Sequence, residues 1–290
     1  MEAWVALVLV SIIAGTAYSA WKQLSYSIVA SVICVFVLVV MMIVGQSNWS
    51  STMDQVAFNV TDLTNPDRVY TLLTSMFAHA SLAHLLFNVL GLVLIGMVFE
   101  QRIGAKPYIL LFLLSGVAGT LTFAAVHWDN PAYAVLGASG AISGVLGGFA
   151  RMYPNERMSM ILFVFPLPPM PVWIIVIIFV ALQSLFISAS SGIAYEAHLG
   201  GLAAGLLLAP LVVKLPTQKR EKRTIALSTL RKLATTPELK TILRRIEDET
   251  VPDVRGAWIE HFLSRARCPY CNAPLRVSKD TVMCQKGHLI

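Results

Sequence analysis

The chain has 290 residues, of which 56% are hydrophobic and 13% charged, and its formal net charge is +6. An ordinary soluble domain carries about 25% charged residues, so this composition excludes one and points to a membrane protein. The positive charge does not call for nucleic acid, which is not expected as a partner, because the basic residues are unevenly spread and carry orientation instead.

In chain order, apolar runs long enough to cross a bilayer lie at about 3–20, 27–45, 82–99, 107–127, 138–152, 171–189 and 196–213. The first starts at Met1 and Glu2 with no Lys or Arg, and a second run follows almost at once, so it reads as a retained helix and not as a signal peptide. Residues 46–81 form a long polar loop with a turn signal at Asn65-Pro66 and no assignable element. The fifth run is short and glycine-rich; it counts as a helix because its small residues repeat at helical spacing. Pro166, Pro168, Pro169 and Pro171 read as a turn leading into the sixth run.

Charge sets the topology. Arg102 and Lys106 follow the third run, Arg151 and Arg157 the fifth, and Lys214, Lys219, Arg220, Lys222 and Arg223 the seventh, three places separated by even numbers of crossings. The positive-inside rule makes that side cytoplasmic. Residues 46–81, 128–137 and 190–195, with Asp54, Asp62, Asp67 and Asp129, then face outside, as does the N-terminus, while the C-terminus is inside.

Composition changes abruptly after Lys214. Two short amphipathic helices are expected in the tail, one after Pro237 with Leu239, Ile242, Leu243 and Ile246 inward, the other carrying Trp258, Ile259, Phe262 and Leu263. The basic stretch Lys219 to Arg223 either contacts anionic lipid headgroups or serves as a stop-transfer flank.

Polar side chains in spanning helices are costly and ask for a reason. Here they are His79, His84, Asn88, Ser139, Gln183 and His198. His84 and Asn88 are four apart and share one helix face; Ser139 opens the fifth run and His198 the seventh. The third, fifth and seventh runs cross in the same direction, so these groups can meet in the outer layer. Gly140, Gly144 and Gly148 face a similar series, Gly201 and Gly205, a seam built for close approach. An imidazole beside Ser139 can take its proton as the oxygen attacks a carbonyl. His84, Asn88 and the Ser139 N–H are candidate oxyanion donors. No buried Asp or Glu is at hand to orient His198, so a dyad is expected. Gln183 reads as an interhelical hydrogen bond, His127 as interfacial, Cys34 as a packed apolar residue, and His79 as either a loop organiser or part of the site.

The stretches His79-Ala-Ser-Leu-Ala-His84-Leu-Leu-Phe-Asn88, Gly137-Ala-Ser139-Gly140 and Ala197-His198-Leu-Gly-Gly201-Leu-Ala-Ala-Gly205 resemble, in order, the three motifs of the rhomboid family of intramembrane serine proteases. The resemblance covers residues 27 to 213. It implies an all-α polytopic membrane protein with a six-helix rhomboid-like core, preceded here by one extra transmembrane helix. It also implies Ser139 and His198 as catalytic dyad, His84 and Asn88 at the oxyanion with His79 in support, and no cofactor for catalysis. The implied partners are the lipid bilayer and single-pass membrane protein substrates, cut near the outer end of their helix. The expected location is the cell membrane.

At the C-terminal end, Cys268, Cys271, Cys284 and His288 form Cys-x2-Cys-x12-Cys-x3-His, a spacing suited to tetrahedral zinc. A structural zinc-ribbon-like module is expected, one that could bind a cytosolic protein partner. The expected organisation is 1–26 extra helix, 27–214 protease core, 215–264 basic and amphipathic helical linker, and 265–290 zinc module. Competing readings are an inactive client-binding relative, a transporter or channel, and a membrane-tethered sensor in which the tail has the main role.

Overall fold

The computed structural model describes residues 1–162, 165–186, 194–214, 225–249, 252–278 and 281–290. The chain divides into two compact units, Met1–Thr217 and Gln218–Ile290.

In the first unit, helix α1 (Ala3–Lys22) packs against α2 (Tyr26–Val44), where Thr16 meets the Tyr26 hydroxyl at 3.0 Å. The long polar loop 46–81 is folded: α3 (Trp49–Val56) is capped by Asn48, and strand β1 (Phe58–Asn59) leads into a 3-10 turn, Val60–Thr64. Helix α4 spans Leu82–Ile103 and widens to π geometry over Leu92–Gly96. After it come α5 (Ala105–Val126), strand β2 (Ala134–Val135) and α6 (Ser139–Met152). Strands β3 (Arg157–Leu162) and β4 (Phe165–Pro171) pair antiparallel ahead of α7 (Val172–Phe186), and α8 (Tyr195–Val212) closes the unit.

Five of these helices, α1, α2, α4, α5 and α8, are long and apolar enough to cross a membrane. The exposed residues on them are themselves large and apolar, among them Leu7, Val10, Val32, Ile43, Phe87 and Leu207. Such a surface suits lipid and not water. Helix α6 has 14 residues, about 21 Å of rise, which falls short of a hydrocarbon core of about 30 Å. It can be short because it is walled by protein: every residue from Gly140 to Phe149 is buried.

The seam expected from the glycines is real. A Cβ on Gly201 would collide with the Gly140 carbonyl, and one on Gly205 with the Gly144 carbonyl. Backbone therefore meets backbone where α6 crosses α8, which side chains at these positions would forbid.

Glu100, one residue past the end of the third apolar run, is 5% exposed and caps the start of α2. It accepts from the Tyr26 and Ser27 N–H groups and from the Ser25 and Ser27 hydroxyls. A buried carboxylate is tolerated here because the free N–H groups and positive end of a helix satisfy it. The same end of the bundle carries the Arg102–Glu156 ion pair. At the other end, Gln55 donates to Glu2, Asn59 donates to the Pro131 and Tyr133 carbonyls, and His127 faces Glu196. Residues expected on one side of a bilayer thus share one end.

The prolines before the sixth run do not form a turn into the helix. Pro166, Pro168, Pro169 and Pro171 lie along β4, and only Pro171 adjoins α7. A strand in a two-stranded hairpin has a free edge, so missing N–H donors cost it little.

In the second unit, α9 (Leu227–Leu233), α10 (Pro237–Asp248) and α11 (Pro252–Arg265) precede the hairpin of β5 (Leu275–Ser278) and β6 (Thr281–Cys284). Both expected amphipathic helices are present, and α9 is an addition. Thr236 caps α10 through the Leu239 N–H, and Pro237 occupies its first turn. Leu230, Leu239, Ile242, Ile246, Phe262 and Val282 pack in one apolar cluster that joins helices and hairpin.

Candidate active site

Ser139 is the first residue of α6, so its N–H has no acceptor within the helix. Its position depends on the turn before it. Gly137 has φ +118°, and a Cβ there would stand 2.7 Å from His84 Nε2; only glycine fits. The Gly137 N–H donates to the Ser75 carbonyl at 2.7 Å, and β2, just upstream, pairs with β1. The loops at this end of the bundle therefore set where the serine stands.

Asp62 is the hub of those loops, 4% exposed. It accepts from the Asn59 N–H at 3.0 Å, the Thr71 hydroxyl at 2.9 Å and the Arg68 guanidinium at 3.0 Å. Replacing Asp62 with Ala should cost about 2 kcal/mol, between the values for exposed and buried ion pairs, since Arg68 keeps some solvent. A thermal melt in detergent that matches the unaltered protein would show that the hub does not hold the loops.

Ser139 Oγ and His198 Nε2 are 2.7 Å apart. His198 lies in the first turn of α8, and Gly140, Gly144, Gly201 and Gly205 allow that helix to come this near. The other imidazole nitrogen, Nδ1, is 3.2 Å from Gln183 Oε1 on α7. Gln183 does make the expected interhelical bond, but onto the histidine of the site. Sequence alone offered only a lone amide in an apolar helix; its partner is 15 residues away along the chain.

His84 and Asn88 lie one helical turn apart on α4, and the Asn88 amide donates to the His84 carbonyl at 2.9 Å. The His84 ring lies against the Gly137–Ser139 turn on one side and the His79 ring on the other, with centroids 5.0 Å apart. His79 is fully buried, with Nδ1 3.2 Å from the Phe77 carbonyl. His127 packs between Phe123 and Tyr133 at the rim, and Cys34 is a buried apolar contact. Ser139, His198, His84, Asn88 and His79 are thus gathered at one end of the helices. This arrangement offers an oxygen nucleophile, a base on it, and polar donors beside the Ser139 N–H.

In the second unit, one ligand atom each from Cys268, Cys271, Cys284 and His288 lies within 4.8 Å of the others. The Cys271–Cys284 sulfurs are 3.6 Å apart, and His288 Nδ1 is 3.7 Å from Cys268 Sγ and 3.4 Å from Cys284 Sγ. A disulfide needs about 2.05 Å, whereas a tetrahedron with zinc–sulfur bonds of about 2.3 Å has edges of about 3.8 Å. The geometry fits a tetrahedral metal. Desolvation raises the Cys284 thiol, but the His288 N–H, the neighbouring Cys271 thiol and the Lys286 N–H together outweigh it and bring its pKa to about 6. Turns at Asn272 (φ 55°) and Gly287 (φ 86°) carry the two halves of the cluster.

Among known proteins, the family model for the rhomboid domain matches residues 66–215. The chain is 32% identical over 158 residues to rhomboid protein 1, mitochondrial, of Saccharomyces cerevisiae, a match over 53% of this chain and 44% of that one. It is 32% identical over 157 residues to YdcA of Bacillus subtilis, 53% of this chain and 70% of that one. Against rhomboid protease GluP of the same organism it is 34% identical over 140 residues, 48% of this chain and 25% of that one. The chain thus spans less than half the length of two of these relatives and just over two thirds of the third.

Proposed function

The chain belongs to the rhomboid family, and from that premise we propose that it is an intramembrane serine endopeptidase that cleaves single-pass membrane proteins near the outer end of their helix. The observation that carries this reading is the 2.7 Å contact between Ser139 Oγ and His198 Nε2. His198 takes the serine proton as Oγ attacks the scissile carbonyl, then passes it to the leaving amine; a water molecule, activated by the same imidazole, releases the acyl group. The Ser139 N–H, His84 and Asn88 hold the oxyanion, and His79 supports the His84 ring. A helical carbonyl is shielded by its own hydrogen bond, so the substrate must unwind at the cut. No metal is needed for any of these steps.

Residues 27–214 are assigned to the protease core, 1–26 to the added helix and its loop, and 215–290 to a cytosolic helical and zinc-binding tail. The basic residues 102, 106, 151 and 157 support a topology with the catalytic end outside the cell membrane and the tail in the cytoplasm. The tail is free there to meet a cytosolic protein partner.

The decisive assay uses purified protein in liposomes with tagged single-pass substrates, combined with mass-spectrometric mapping of a fluorophosphonate probe. Cleavage, with the probe on Ser139, is the expected result; folded protein that neither cuts nor labels would point to a client-binding relative without activity.

Zinc held by Cys268, Cys271, Cys284 and His288 would staple the turns that flank the β5–β6 hairpin. Metal analysis should find about one zinc per chain, and Cys271→Ser or Cys284→Ser should lose it. Full zinc content in both variants would exclude this ligand set.

A further inference from the structure

A histidine that acts as base toward a serine hydroxyl must carry its own proton on the far ring nitrogen, and something must hold it there. In the familiar triad this is a buried carboxylate. Here the nearest acid in the chain, Glu196, turns away to His127, with its Oε1 3.7 Å from Nε2. What meets His198 Nδ1 is Gln183 Oε1, at 3.2 Å, from α7. With that oxygen as acceptor the proton sits on Nδ1, which leaves the Nε2 lone pair facing the Ser139 hydroxyl.

The surrounding packing holds the ring in the same pose. Phe179, one helical turn before Gln183, lies 6.2 Å from the imidazole centroid, and Tyr195 stands edge-on at 6.5 Å and 86°. Two residues of one α7 face therefore address the histidine, one by hydrogen bond and one by contact.

We infer that Gln183 is the positioning residue of His198, an uncharged third member that selects the productive tautomer. The inference rests on the protease reading of the site. An amide suits this setting because burying it in an apolar bundle costs far less than burying a carboxylate. A neutral acceptor also stabilises the imidazolium less than a carboxylate does. Its loss should therefore cost less than the roughly 10⁴-fold that follows from the wrong tautomer in a Ser-His-Asp site.

The test compares the wild-type chain with Gln183→Met, of similar length but without the acceptor, and Gln183→Glu, which restores an acceptor oxygen. Three quantities are read: kcat and KM on a single-pass substrate in liposomes, the rate of fluorophosphonate labelling, and the ¹⁵N spectrum of the histidine ring nitrogens in micelles. In Gln183→Met, kcat and labelling should fall roughly ten- to a hundred-fold with KM and thermal midpoint unchanged. Gln183→Glu should recover most of the loss. The wild-type spectrum should show His198 protonated on Nδ1, and the Met variant a mixture of tautomers. A Met variant with wild-type kcat and tautomer overturns the inference. Should the wild type itself neither cleave nor label, the protease reading falls. The spectrum alone then decides Gln183: a tautomer fixed in the wild type and lost in the Met variant upholds the positioning role, and an unchanged one removes it.

Discussion

Ser139→Ala should lower cleavage of a single-pass substrate by at least roughly 10⁴-fold, His198→Ala should do nearly the same, and the double variant should be no worse than either alone. The two groups act as one device. Without the base at 2.7 Å, the hydroxyl keeps its proton; without the hydroxyl, the base has nothing to activate. Independent contributions would instead multiply, so a double variant far slower than both single ones would argue that His198 serves some other step. Initial rates in liposomes, with enzyme amounts raised until the variants register, are sufficient for the comparison.

The second large effect concerns the seam that brings the pair together. Gly205→Val should leave little folded protein, because even the first added carbon would run into the Gly144 carbonyl. That neighbour is backbone inside a helix and cannot rotate away. The cost should exceed the roughly 1–3 kcal/mol usual for an overpacked side-chain site, and the helices carrying Ser139 and His198 would part. Thermal unfolding in detergent and probe labelling should fail together. Gly256→Ala makes a fitting control: nothing lies within 4 Å of its added carbon, and it sits inside a helix. That change should be neutral or stabilise by about 0.5–1 kcal/mol. A Gly205→Val protein that melts and labels like the wild type would mean that the two helices do not touch as described.

Much of the site was legible because its determinants are local patterns. Apolar runs, the sign of the charges between them, and the four-residue spacing of His84 with Asn88 and of Gly140 with Gly144 are properties of neighbouring residues. They dictate which helix end carries which group. Alternate crossings then bring His84, Ser139 and His198 to one end with no knowledge of packing.

Gln183 shows where that reasoning stops. Nothing adjacent in the chain marks it, and its role comes from the rotation of α7 relative to α8. Glu100 is a similar case: it follows an apolar run and would pass for a flanking charge, yet it is buried on the start of α2. The loop 46–81 has no period to read, since its order comes from Asp62 and from pairing with residues 134–135. The prolines before α7 gave a turn signal, while the hairpin partner that makes them a strand lies upstream. Sequence by itself determined that this is a membrane protein, the order of its helices, and the residues that gather at one end and in the cysteine cluster. Tertiary structure alone decided which side chains touch, because hydrophobic burial and charge act on segments as a whole, whereas hydrogen bonds and backbone clashes act over a few ångströms between residues that only the packed helices bring together.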